Sequence, residues 1–188
     1  MKKGWIILAV VAGLVVLTGL SAVGIYNRLV STNEAINAGW AQVENVLQRR
    51  FDLIPNLVNT VKGYAKQEKD VLTEVTRLRS QWGEAKTPQA RLDAAQGLEG
   101  ALGRLMVVVE KYPELKSNQN FLALQDELAG TENRIAVERM RYNETVQSYN
   151  TLVQRFPTAV VARLTGFAKR DSYFKANAVA AEAPQVSF

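Results

Sequence analysis

The chain has 188 residues, 47% hydrophobic and 22% charged, with a formal net charge of +5, which suits one domain with one core and a short appended segment. It has no histidine and no cysteine, so Ser-His-Asp and Cys-His catalysis, Cys or His zinc sites, Glu-x-x-His di-iron sites, disulfides and a lipid-bearing cysteine are excluded. Lys and Arg alternate with Asp and Glu along most of the chain, the pattern of a solvated surface, and no nucleic-acid partner is expected.

The amino-terminal segment is the strongest local signal. After Lys2 and Lys3, the stretch from Trp5 to Ile25 is apolar except for Thr18 and Ser21. About 20 such residues suffice to cross a hydrocarbon core of roughly 30 Å. Trp5 and Tyr26 stand at its ends, where amphipathic aromatics settle at headgroup level. A cleaved signal peptide with Ala22-Val23-Gly24 as its small-x-small site is the competing reading. The stretch exceeds an h-region of about 7 to 15 residues, which favours a retained, single-pass anchor over residues 1–27. Lys2 and Lys3 precede the span, whereas Arg28, Glu34 and Glu44 follow it. The positive-inside rule then puts the amino terminus in the cytoplasm and the remainder beyond the membrane, with Arg28 counting against it.

Past the anchor, apolar residues recur at a 4-3 spacing through Leu29, Ile36, Trp40, Val43, Leu47, Ile54, Leu57, Val61, Tyr64, Val71, Val75, Leu78 and Trp82. This spacing puts them on one helix face. Pro55 lacks an N–H and its ring clashes with the preceding turn, so it either kinks one long helix or opens a new one. Two helices are the preferred reading, with Asp52 as N-cap and Pro55 and Asn56 in the first turn. The unbroken spacing keeps a single kinked helix open.

Thr87-Pro88 reads as a cap and a first-turn proline, followed by a stripe at Leu92, Ala95, Leu98, Leu102, Leu105 and Val109 that Tyr112-Pro113 closes. Gly97, Gly100 and Gly103 lack a preceding strand, so close helix packing explains them better than a phosphate cradle. A last long helix runs from about Asn118 to Arg155, and Pro157 stops it. The fold class is all-α: the anchor, then an antiparallel bundle of about four long helices over residues 28–175. The Ala-rich stretch 176–188 reads as a flexible tail. The apolar segment Thr158 to Phe167 is too short to span a bilayer. It can dock on the bundle or a second copy, or lie on a membrane.

Arg49, Arg50 and Asp52 form a polar cluster with Pro55 and Asn56, while Glu132, Arg134, Glu138, Arg139 and Arg141 fall in the last helix. A guanidinium fork matches a carboxylate in two hydrogen bonds, so Arg49 or Arg50 reaching Glu132 or Glu138 would fix helix register. Solvated i,i+4 pairs, contributing about 0.2 to 0.5 kcal/mol each, are the alternative. Tyr142-Asn143 and Tyr149-Asn150 repeat at a seven-residue interval and share a helix face. They can line a ligand pocket or interaction face; more often such a stripe is core with its polar tips capped.

Several of these residues also carry a resemblance. Tyr26-Asn27, Trp40, the run from Arg49 to Val58, Glu110-x-Tyr112-Pro113, Asn118 with Asn120-Phe121, Thr131 to Ala136, Arg139, Tyr142-Asn143, Tyr149-Asn150, Phe156-Pro157 and Tyr173-Phe174 together resemble the LemA family, from about Tyr26 to Lys175. The resemblance implies a bacterial inner-membrane protein with a helical bundle. It lends no activity and no catalytic residue. The residues themselves support a membrane-anchored scaffold or adaptor that pairs with copies of itself and with other membrane proteins, without cofactor or metal. A ligand-sensing bundle is the second reading. An enzyme using opposed carboxylates is the third, since no such pair can be placed in a cleft.

Overall fold

The computed structural model describes residues 2–174, and the tail expected at 176–188 lies outside them. Six helices account for most of the described chain: α1 (Lys2–Tyr64), α2 (Lys69–Glu84), α3 (Pro88–Val109), α4 (Pro113–Lys116), α5 (Gln119–Gln154) and α6 (Thr158–Thr165). The fold is all-α, with no strand among the described residues. Two compact units divide it. One joins residues 1–41 to 138–188, and the other is the continuous stretch Gln42–Val137.

In the continuous unit, α1 passes through Pro55 without a break, so the preferred division into two helices is corrected. Asp52 is likewise no N-cap: it lies inside α1 and accepts a hydrogen bond from the Gln48 amide at 2.8 Å. Magnitudes explain the outcome. An interior proline costs a helix about 3 kcal/mol, whereas a fully buried Leu, Ile or Phe contributes about 1.5 to 3 kcal/mol. Phe51, Ile54, Leu57, Val58 and Val61 flank the proline and are all buried, on a face that only a continuous helix keeps aligned. The break falls instead after Tyr64, one residue past Gly63, and a turn leads from Ala65 to Glu68 before α2.

The apolar stripe then resumes on α2, where Leu72, Val75, Leu78 and Trp82 are buried. Trp82 stacks on Phe51 with ring centroids 4.5 Å apart and donates its indole N–H to Gln48 Oε1 at 3.0 Å. Thr87 caps α3 by accepting from the Ala90 N–H at 3.2 Å, with Pro88 in the first turn. A Cβ on Gly97 would come within 2.7 Å of a Leu78 methyl, so this glycine admits α3 to α2. Gly100 and Gly103 face open space and have no such role. Asn118 caps α5 by accepting from the Phe121 N–H at 3.0 Å. Within this unit α5 runs antiparallel to α1, since Asn118 meets the Tyr64 hydroxyl while Glu132 meets Arg50.

The other unit contains the start of α1, the end of α5, α6 and an extended segment at 167–174. Residues 3–21 of α1 are exposed throughout, and this part is long and apolar enough to cross a membrane. Packing starts beyond it, with Leu29 and Ile36 of α1 and Tyr142, Val146 and Tyr149 of α5 buried. The chain leaves α5 through Arg155 and Phe156, and Thr158 and Ala162 are the buried residues of α6. Gly166 ends α6 at φ 80°, a left-handed position that disfavours any residue with a Cβ, and so turns the chain into the extended segment.

Candidate functional site

Two polar arrangements stand out, one in each unit. In the unit containing α6, Asn143 and Asn150 sit seven residues apart on α5 and face the extended segment. An asparagine amide offers one acceptor and two donor hydrogens, so it can stand in for a neighbouring strand's peptide group. Asn150 Nδ2 donates to the Arg170 carbonyl at 2.7 Å, and the Arg170 N–H donates back to Asn150 Oδ1 at 2.8 Å. Asn143 repeats the pattern on Phe174, at 3.0 and 2.9 Å. Seven helical residues rise about 10.5 Å, and four extended residues span about 13 Å. The two repeats therefore come close to register, with a small tilt absorbing the difference.

The tyrosines complete the clasp. Tyr149 donates its hydroxyl proton to the Ala168 carbonyl and Tyr142 to the Ser172 hydroxyl, each at 3.0 Å. The Tyr173 hydroxyl accepts from Asn150 Nδ2 at 3.0 Å, and Arg170 reaches Asn33 of α1 at 2.9 Å. At the far end Phe174 stacks on Trp40 at 5.8 Å, meets Tyr142 edge-on at 5.2 Å, and lies under the Arg139 guanidinium at 5.5 Å. Tyr142, Asn143, Tyr149 and Asn150 are thus brought together as expected of one helix face, and the chain's own segment occupies it. Lys169 pairs with Asp171 at 2.8 Å, and that hydrogen bond holds the ammonium above its ordinary pKa.

In the continuous unit the arginines of α1 meet carboxylates of α5. Arg50, 8% exposed in a largely apolar environment, pairs with Glu132, and Arg49 pairs with Glu127. In the other unit Glu138 accepts a hydrogen bond from Arg141, one turn on, at 2.7 Å. Arg134 and Asn56 are exposed, and Asn56 contributes only its carbonyl, to the Thr60 hydroxyl at 2.9 Å. Arg139 belongs with Phe174 in the other unit. Of the expected polar cluster, Arg50 thus pairs with Glu132 within the continuous unit, and Arg139 lies over Phe174 within the other.

Sequence reasoning missed Arg91, which pairs with Glu44 and lies over the Trp82 ring at 5.6 Å. It also missed Tyr112, whose hydroxyl donates to Glu68 at 3.3 Å. Burial, then the Glu68 charge and hydrogen bond, push the Tyr112 phenol above its ordinary value of 10.0. Among the described residues no group of three or more Asp or Glu is placed to hold a metal ion.

A model of the LemA family matches residues 39–188. Over 176 residues the chain is 30% identical to magnetosome protein MamQ 2 of Paramagnetospirillum magneticum, covering 80% of this chain and 64% of that protein. Magnetosome protein MamQ of Magnetospirillum gryphiswaldense is 29% identical over 175 residues, 79% of this chain and 64% of its own length. Protein LemA of Metamycoplasma hominis is 24% identical over 142 residues, 75% of this chain and 65% of that protein. The matched part of the chain spans less than two thirds of the length of each of these relatives.

Proposed function

Because the chain belongs to the LemA family, whose model matches residues 39–188, we propose that it is a membrane-anchored helical scaffold or adaptor. It works by contact with copies of itself and with other membrane proteins, and catalyses no reaction. The observation that carries this reading is the continuity of α1. One helix runs from an exposed apolar stretch, long enough to cross a bilayer, straight into packed residues such as Leu29 and Ile36. A tether without a flexible linker transmits position from membrane to domain, which suits a scaffold.

The anchor sits in the bacterial inner membrane, with the amino terminus cytoplasmic and the packed residues on the other side, following Lys2 and Lys3. The ligand-sensing alternative called for a cavity lined by Tyr142 and Asn143. Those groups are bonded to Ser172 and Phe174.

Crosslinking of the full-length protein in its native membrane, with mass spectrometry of the linked peptides, tests the reading. Homotypic crosslinks between exposed helix faces are the expected result. A protein that runs as a monomer in detergent and yields no intermolecular crosslinks in the membrane would refute it. Protease protection on the same membranes assigns the side, and a cytoplasmic location of residues 28–174 would reverse the proposed orientation.

A further inference from the structure

The short helix α6 presents two unlike faces. Thr158 and Ala162 are buried, whereas Val160 and Leu164, one turn apart, are 51% and 82% exposed. Phe156, just ahead of the helix, is 80% exposed. Arg155 and Arg163 flank these apolar side chains and are exposed as well. A row of a large aromatic and two aliphatics, left in the open and edged by cations, calls for a covering surface.

The position of α6 identifies that surface. Phe167, directly after the glycine that ends the helix, meets Tyr26 edge-on at 5.9 Å. Tyr26 is the first residue beyond the apolar stretch Trp5 to Ile25 and marks its water-facing boundary. The carboxyl end of α6 is therefore held at the level where α1 would leave the hydrocarbon. Within the unit containing α6, α5 runs antiparallel to α1, with Tyr142 against Trp40 and Asn150 joined through Arg170 to Asn33, so Phe156, six residues or about 9 Å past Asn150, comes down close to the level of Tyr26 as well. Phe156, Val160 and Leu164 together offer at most a few hundred Å², short of the roughly 800 Å² per partner of a stable protein interface. Shallow insertion into lipid has no such threshold, because each buried group adds to the anchoring already supplied by the span.

We infer that α6 lies in the membrane interface, with Phe156, Val160 and Leu164 in the boundary between headgroups and acyl chains and Arg155 and Arg163 among lipid phosphates. The inference rests on the membrane-anchor reading of α1. It gives the protein a second bilayer contact, close to the first, that resists tilting of the domain about a single crossing helix.

The absence of native cysteine makes the test clean, since a single introduced thiol reports without background. Val160→Cys, Leu164→Cys and Phe156→Cys are each labelled with an environment-sensitive fluorophore in the full-length protein reconstituted into phosphatidylglycerol-containing vesicles. Gln147→Cys, at an exposed position on α5, serves as reference. Unchanged circular dichroism shows that each variant is folded, and having three reporter positions keeps the test open if one fails. Nitroxide-bearing lipids should quench the α6 labels severalfold more than the label at 147, and aqueous iodide should quench them less.

If the α6 labels are quenched by lipid nitroxides no more than the reference, while the protein resists carbonate extraction, the interfacial helix is refuted and the anchor stands. Labels shielded from iodide but also from lipid nitroxides would mean that a second copy covers α6, which likewise overturns the inference. Release of the protein by carbonate would overturn the anchor reading itself and the inference with it.

Discussion

Asn150 is 4% exposed and uses both ends of its amide on the main chain of Arg170, with a further bond to the Tyr173 hydroxyl. Removing it strands the Arg170 N–H and C=O that it pairs, and each lost bond is worth about 1 kcal/mol. Asn150→Ala is therefore expected to destabilise the segment 168–174 by about 2 to 3 kcal/mol, read as faster hydrogen exchange at the Arg170 amide. Asn150→Asp keeps the acceptor and should retain protection at that amide while losing the bond to the Arg170 carbonyl. Arg50 poses a different problem, since its guanidinium is nearly buried while Glu132 is 45% exposed. The half-exposed carboxylate limits the pair, so a double-mutant cycle between Arg50→Ala and Glu132→Ala should give a coupling of about 1 kcal/mol. Arg50→Met should cost less than Arg50→Ala, because a flexible apolar side chain fills the same space. Tyr112 sets an alkaline limit. Its folded pKa lies above the ordinary 10.0, so its contribution is complete below that pH and is lost as pH rises through the folded value. Stability measured by denaturant titration should fall above about pH 10, and Tyr112→Phe should remove that component of the fall.

At the level of elements, α1 is the most informative case. Its 63 residues include a proline that would end an isolated helix, yet the helix continues because Phe51, Ile54, Leu57 and Val58 are buried around it. Pro55→Ala restores the N–H that can bond the Phe51 carbonyl and should raise thermal stability, by about 1 to 3 kcal/mol, with helix content unchanged. A loss of helicity in that variant would contradict the continuous helix. The spacing of Leu29, Ile36, Val43 and Leu47 made the buried stripe of α1 legible in the sequence, and Thr87-Pro88 and Pro157 made the limits of α3 and α5 legible. Where α1 ends was not, because the same 4-3 spacing runs on through Tyr64 and Val71 while the chain turns at 65–68. Spacing reports which side of a helix is apolar and is blind to a change of axis. The repeat of Tyr142-Asn143 at Tyr149-Asn150 placed four side chains on one face, but what they hold was hidden. The bonds run from side chains to main-chain atoms 20 to 31 residues away, and main-chain partners leave no mark in a sequence.

At the scale of the whole molecule, the two units differ in how the chain supplies them. Gln42–Val137 is continuous and brings its own core from α1, α2, α3 and α5. The other unit needs residues 1–41 and residues from Glu138 onward, so its contacts close over a long loop of sequence. A chain ending at Val137 should keep the Phe51–Trp82 stacking and helical protection of the continuous unit. Residues 28–41 of that chain should exchange their amide hydrogens rapidly. Equal protection of 28–41 with and without the later residues would show that α1 is held there by something else. The same arrangement imposes an order in time on the living cell. The apolar stretch of α1 leaves the ribosome ahead of the rest of the helix and can enter a bilayer, while Leu29 and Ile36 wait for partners about a hundred residues downstream. At about 5 to 20 residues per second, that wait is roughly five to twenty seconds. For that interval the nascent chain displays the bare face that its own α5 will later cover.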